Sequence, residues 1–156
     1  MRNIVEALEL VIPLLEEMVY DPIAVNPREF LEYLLGPTTT GDRTTLREIL
    51  ESRYLLIHEL VEIDELKRRG IAIGRETVVS HPAEVYEAHL RAAEVEFSLA
   101  EMEGDRGWLG RRLRDAESWL QDPSLPPRLR PRVRDLIERF RQKKVGAHSD
   151  RPAAAE

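Results

Sequence analysis

Four side chains in the middle of the chain carry the donor chemistry of a divalent-metal site: His58, Glu62, His89 and Glu96. His58 and Glu62 are four residues apart, so on a helix both project from one face toward the same place. His89 and Glu96 lie in a second helical segment, inside its apolar arc. Imidazole and carboxylate groups projecting from facing helices are how metal centres are built in helix bundles. Two features weigh against a single ion held by all four. Glu96 lies two turns from His89, about 10 Å along the axis, and His58 with Glu62 falls toward the polar side of its helix, where a solvated face is the ordinary outcome. The chain has no cysteine, so a cofactor here would be a divalent metal ion held by nitrogen and oxygen, and disulfides are excluded.

The same anomaly has a purely structural reading. Arg53 and Asp64 fall near the centre of the apolar arc of the helix that carries His58, and Glu96 falls in that of the next. An unpaired buried charge is expensive. If the two helices pair antiparallel, Arg53 is expected to meet a carboxylate such as Glu96, giving a buried ion-pair network of Arg53, Asp64 and Glu96 that fixes register.

His58-Glu59-Leu60-Val61-Glu62 begins like the zinc-protease HExxH but has Glu in place of the second histidine. No GxSxG, Walker A loop or GxGxxG occurs. Glu59-x-x-Glu62 and Glu84-x-x-Glu87 resemble the paired acidic motifs of the all-α nucleotide pyrophosphatases, which usually end in ExxD. That resemblance implies magnesium-assisted chemistry on a phosphorylated substrate. Arg53 and His58 also have the R-x4-H spacing of a class of helical ribonucleases, although mid-helix their side chains point apart around the axis.

Charge is unevenly distributed. Residues 1–104 sum to −11 and residues 105–156 to +5, within a net charge of −6. Arg128, Arg130, Arg132 and Arg134 alternate through a proline-rich entry, and Arg141, Lys143 and Lys144 follow. Such a stretch can contact phosphates of a nucleic acid. It can equally dock onto the acidic N-terminal portion, and aromatic interleaving is limited to Phe140.

Periodicity places these residues on helices. Segments are expected over Asn3–Tyr20, kinked at Pro13; from the Asn26 cap to Gly36-Pro37; and as one long helix from the Thr45/Glu48 capping box to Gly70. Further helices are expected from Ser80-His81-Pro82 to about Glu103, over Asp105–Gln121, and from Pro131 to about Lys144. The β-branched stretch of residues 71–80 suggests a small β-hairpin. These elements predict an all-α fold, a five- or six-helix bundle on a long antiparallel hairpin. One domain is expected over residues 1–144, with a disordered tail over 145–156.

With 20 Arg against 3 Lys and few Asn or Gln, the composition suits a thermophile or a GC-rich genome. The absence of a membrane-length apolar run or an apolar leader makes the cytoplasm the default location and a membrane partner unexpected. Near-heptad spacing at Val85, Ala88, Ala92, Val95, Leu99 and Met102 suits close helix packing, within the chain or across a homodimer. The default function is therefore a non-enzymatic helical interaction or assembly protein, with a protein partner or a second copy. The rivals are a divalent-metal-dependent hydrolase of a nucleotide or phosphorylated substrate and an accessory nucleic-acid-binding protein.

Overall fold

The computed structural model describes residues 3–18, 20–22, 25–37 and 44–149, with side chains described to residue 141. Every regular element among them is helical: α1 Ile4–Glu17, α2 Pro27–Leu35, α3 Leu46–Glu51, α4 Arg53–Arg68, α5 Thr77–Ser80, α6 Pro82–Met102, α7 Arg106–Trp119, a 3₁₀ turn Pro127–Leu129, and α8 Arg130–Ser149. No described helix is long and apolar enough to cross a membrane.

Local chemistry starts and stops these helices. Asn3 and Thr45 each form a reciprocal capping box, with Glu6 and Glu48. Asn26 caps α2 ahead of Pro27, whose missing N–H costs nothing in the first turn. Gly70 and Gly104 adopt φ of 76° and 70°, which lets the chain leave α4 and α6 without a Cβ clash.

Two expectations are revised. The single helix over residues 45–70 is two helices. Ser52 takes an extended conformation (φ −116°, ψ 115°), ends α3, and restarts the chain by accepting the Leu55 N–H at 3.3 Å on its hydroxyl. The break places Arg53 at the start of a helix instead of in the middle of one. Residues 71–80 form no strand. Thr77 accepts the Gly74 N–H at 2.9 Å and donates to the Ala72 carbonyl at 2.8 Å, closing the segment on itself and leading into α5. A two-stranded ribbon without a third strand would have little to hold it. The backbone of α8 runs on to Ser149, and residues 150–156 lie outside the described residues.

The core runs through the middle of the molecule on α4 and α6. α4 buries Leu56, Ile57, Leu60, Val61, Ile63 and Leu66. α6 faces it with Ala88, Ala92, Val95, Leu99 and Ala100, small or branched residues that permit close approach. Side-chain pairs run in opposite order along the two helices, from Arg53–Glu103 through His58–Glu96 and Glu65–Arg91 to Arg69–Glu87, so the helices are antiparallel. α7 packs against α6 and α8, and α1, α2 and α3 against α4.

α2 comes so close to the 71–80 segment that a Cβ on Gly36 would run into the Arg75 carbonyl. Arg75 also donates to Glu32 at 2.7 Å. Gly36→Ala is therefore expected to push these segments apart at a cost of about 1–3 kcal/mol, read as a lower urea midpoint. An unchanged midpoint would show that the approach is not tight.

Candidate metal centre

α4 is packed by α1, α2, α3 and α6 and buries side chains on nearly every face. Tyr54, Ile57, His58, Val61 and Glu62 all turn inward, and His58 and Glu62 are only 2% and 6% exposed. They are not on a solvated face, as periodicity suggests, because neighbouring helices cover α4 on that side too. α6 brings His89 opposite them. His58 Nε2 lies 3.0 Å from His89 Nδ1 and 3.3 Å from Glu62 Oε2, and His89 Nδ1 lies 3.7 Å from the same Glu62 oxygen. Three donor atoms on two helices thus form a compact triangle. Separations of 3.0, 3.3 and 3.7 Å are close to those between neighbouring ligands of one tetrahedral zinc ion.

The groups behind the triangle hold it in this orientation. The other ring nitrogen of His58, Nδ1, is 2.8 Å from Glu96 Oε1. The other oxygen of Glu62, Oε1, accepts the Tyr33 hydroxyl at 2.7 Å. Hydrogen bonds of this kind on the far side of a ligand fix its tautomer and direction. His89 is wedged between rings, with the Trp119 centroid 4.5 Å away, His58 at 4.7 Å and Tyr86 at 5.9 Å.

Glu96 is completely buried and fully bonded. Besides His58 it accepts Trp108 Nε1 at 2.8 Å, Arg112 Nε at 2.8 Å and Arg112 Nη2 at 3.1 Å. Burial disfavours its charged form, but the Arg112 charge and the His58 bond outweigh that and bring its pKa down to about 2. Burial also works against the charged form of His58, yet the bonds to Glu62 and then Glu96 raise its pKa to about 10. Glu62 is held well below the usual carboxylate range by its two histidine neighbours, against the opposing effect of burial. Burial keeps the His89 pKa below its ordinary value despite the bond to Glu62, so His89 is a neutral imidazole with a lone pair to offer.

Glu62 and His89 line a cavity of about 550 Å³ whose walls also include Tyr33, Tyr86, Arg112 and Trp119. His58 lies behind them. A ligand at the triangle would have its free side on this cavity.

Of the four residues singled out for metal binding, three converge, and Glu96 orients one of them from the opposite side. The anticipated pairing of Arg53 with Glu96 is not made. Arg53 opens α4 at the surface and binds Glu103 through Nε at 3.0 and 3.1 Å, while Glu96 takes Arg112. Arg53 is the first residue of α4, five residues and about 7.5 Å along the axis before His58, so it lies level with Glu103 at the end of α6 while His58 lies level with Glu96. Asp64 is fully buried, as expected, but its partners are the Tyr20 hydroxyl at 2.6 Å and Arg68 Nε at 2.8 Å. The two ExxE pairs serve separate contacts: Glu62 belongs to the triangle, and Glu87 binds Arg69 and Arg128. Arg53 and His58 likewise make no common site. In the basic stretch, Arg128 binds Glu87 and Arg141 binds Glu117, while nearby Arg139 binds Glu94 at 3.1 Å. Arg132 and Arg134 are exposed on α8 and Arg130 half-buried; the side chains of Lys143 and Lys144 lie outside the described residues.

Sequence reasoning missed Tyr33, Trp108 and Arg112. The last two had a signal: both are N–H donors at i,i+4 spacing on the helix that follows Gly104, where the chain can fold back over Glu96. Comparison with family models, with curated proteins and with solved structures finds no match.

Acid should titrate this network. Glu96 has a folded pKa near 2 against an ordinary value of 4.5, so its stabilisation is present above 4.5 and is lost as pH falls toward 2. Glu96→Gln leaves Arg112 with only Asp115 and His58 with only Glu62 as carboxylate partners, and should cost about 3 kcal/mol at pH 7. Urea unfolding at pH 7 and pH 3 should show a large gap between wild type and variant that narrows in acid. A gap that stays constant with pH would refute the assignment.

Proposed function

We propose that the protein is a divalent-metal-dependent hydrolase whose ion is held by His58, Glu62 and His89 in a helical bundle built on the α4–α6 hairpin. The observation that carries this is the donor triangle with its second row of bonds, open on one side to a cavity. Catalytic zinc sites combine three protein ligands with a fourth position left for water or substrate. An ion held there would supply a hydroxide nucleophile at neutral pH by lowering the pKa of bound water. Glu96 and Tyr33 orient His58 and Glu62 from behind, and the packed helices exclude bulk water on the His58 side. This reading goes ahead of the helical assembly protein because it accounts for two histidines and two carboxylates gathered in the core beside a cavity.

The test is metal content and metal-dependent stability. Chelator-stripped protein incubated with Zn²⁺ and desalted should retain one ion per chain. At a free concentration 100-fold above Kd the ion should add about 2.7 kcal/mol to stability. His89→Ala and Glu62→Gln should each abolish retention while remaining helical by circular dichroism. Failure of Zn²⁺, Mn²⁺ and Co²⁺ to bind or stabilise the wild-type protein, or full retention by His89→Ala, would leave only a charge network.

A further inference from the structure

The charge of the cavity wall bears on what the site accepts, and the inference rests on the metal reading only for where the reacting bond would lie. Five charged side chains line the cavity among the described residues: Glu59, Glu62, Asp115 and Asp122 are acidic, and Arg112 is basic. Arg112 is not free to clamp a phosphate. All three of its nitrogens already meet carboxylates, Nε and Nη2 on Glu96 and Nη1 on Asp115 at 3.1 Å. Asp122 is the converse case. Its donors are neutral, the Tyr86 hydroxyl at 2.6 Å on Oδ2 and the Ser124 N–H at 2.8 Å on Oδ1, and no cation among the described residues pairs with it. Each of its oxygens accepts one hydrogen bond, which leaves lone pairs for a third partner. Tyr86 touches Asp122 directly, and the same cavity is lined by the aromatic and apolar side chains of Tyr33, Trp119, Val78 and Val85. Aromatic rings beside a carboxylate attract organic cations through the ring quadrupole as well as through charge, whereas a phosphate dianion would face like charge and find its one guanidinium taken.

We propose that the cavity binds a substrate carrying a protonated amine, anchored by Asp122 with the aromatic wall around it, and that it discriminates against phosphorylated compounds. This departs from the nucleotide or phosphorylated substrate that the paired acidic motifs suggest. A volume of about 550 Å³ accommodates a molecule of drug-like size or smaller.

Three probes of nearly one shape separate the possibilities: benzylamine, benzyl alcohol and benzyl phosphate, titrated at pH 7 into metal-free and zinc-loaded protein and followed by amide NMR shifts. Benzylamine should bind at least tenfold more tightly than either of the others, with the largest shifts at Tyr86, Trp119 and Asp122. Asp122→Asn should reduce that preference to within about twofold and leave benzyl alcohol binding unchanged. Benzyl phosphate binding best, no preference among the three, or an Asp122→Asn protein that keeps the wild-type ranking would overturn the proposal. The wild-type ranking decides the matter alone if the variant does not fold. Because the titrations are run with and without zinc, the two readings separate. Amine preference without metal retention removes the metal centre and keeps the cationic site; metal retention with phosphate preference does the reverse.

Discussion

Glu96 has no contact with water, and a carboxylate in that position must be compensated wherever the chain places it. Its compensation comes from three directions: the imidazole of α4, and the indole and guanidinium of α7. Removing a charge from water costs several kcal/mol, and only a complete set of donors returns it. The bond to His58 aligns α4 with α6 in register. The bonds to Trp108 and Arg112 hold α7 over α6. The turn at Gly104 is what permits that return, since its φ of 70° lets α7 begin immediately after α6.

Holding His58 by Nδ1 has a chemical consequence. The opposite nitrogen then faces Glu62 and His89, at distances that suit ligands of one ion. The same relation recurs at Glu62, where Tyr33 takes one oxygen and leaves the other for the triangle. Stability and chemistry are therefore carried by opposite ends of the same side chains. The apolar packing of α4 on α6 keeps water from the His58 side, and the cavity gives access from the side of His89.

The helical class and most helix boundaries were legible because they depend on local chemistry. Capping by Asn26 and Thr45, the stop at Gly70 and the start at Pro82 each involve residues a few positions apart. The presence of imidazole and carboxylate within apolar arcs also marked His89, Glu96 and Asp64 as anomalous. What could not be read was burial and partnership. α4 is packed by α1, α2, α3 and α6, so His58 and Glu62 are buried although they lie away from its most apolar stripe. Arg53 is exposed because the break at Ser52 makes it the first residue of α4. The choice of Arg112 over Arg53 for Glu96 depends on how α7 folds back, a long-range relation absent from any periodicity. The 71–80 segment misled because β-branched residues favour strands only where a sheet exists to receive them, and here Thr77 ties the segment to itself.

The central claim is that two imidazoles and one carboxylate meet on a single ion. Zinc-edge X-ray absorption on the zinc-loaded protein tests it most directly. The account predicts a first shell of about four nitrogen and oxygen atoms near 2.0–2.1 Å, with outer-shell scattering from two imidazole rings that falls to one in His89→Ala. A shell of six oxygens without imidazole scattering, or a spectrum unchanged by that substitution, would contradict it.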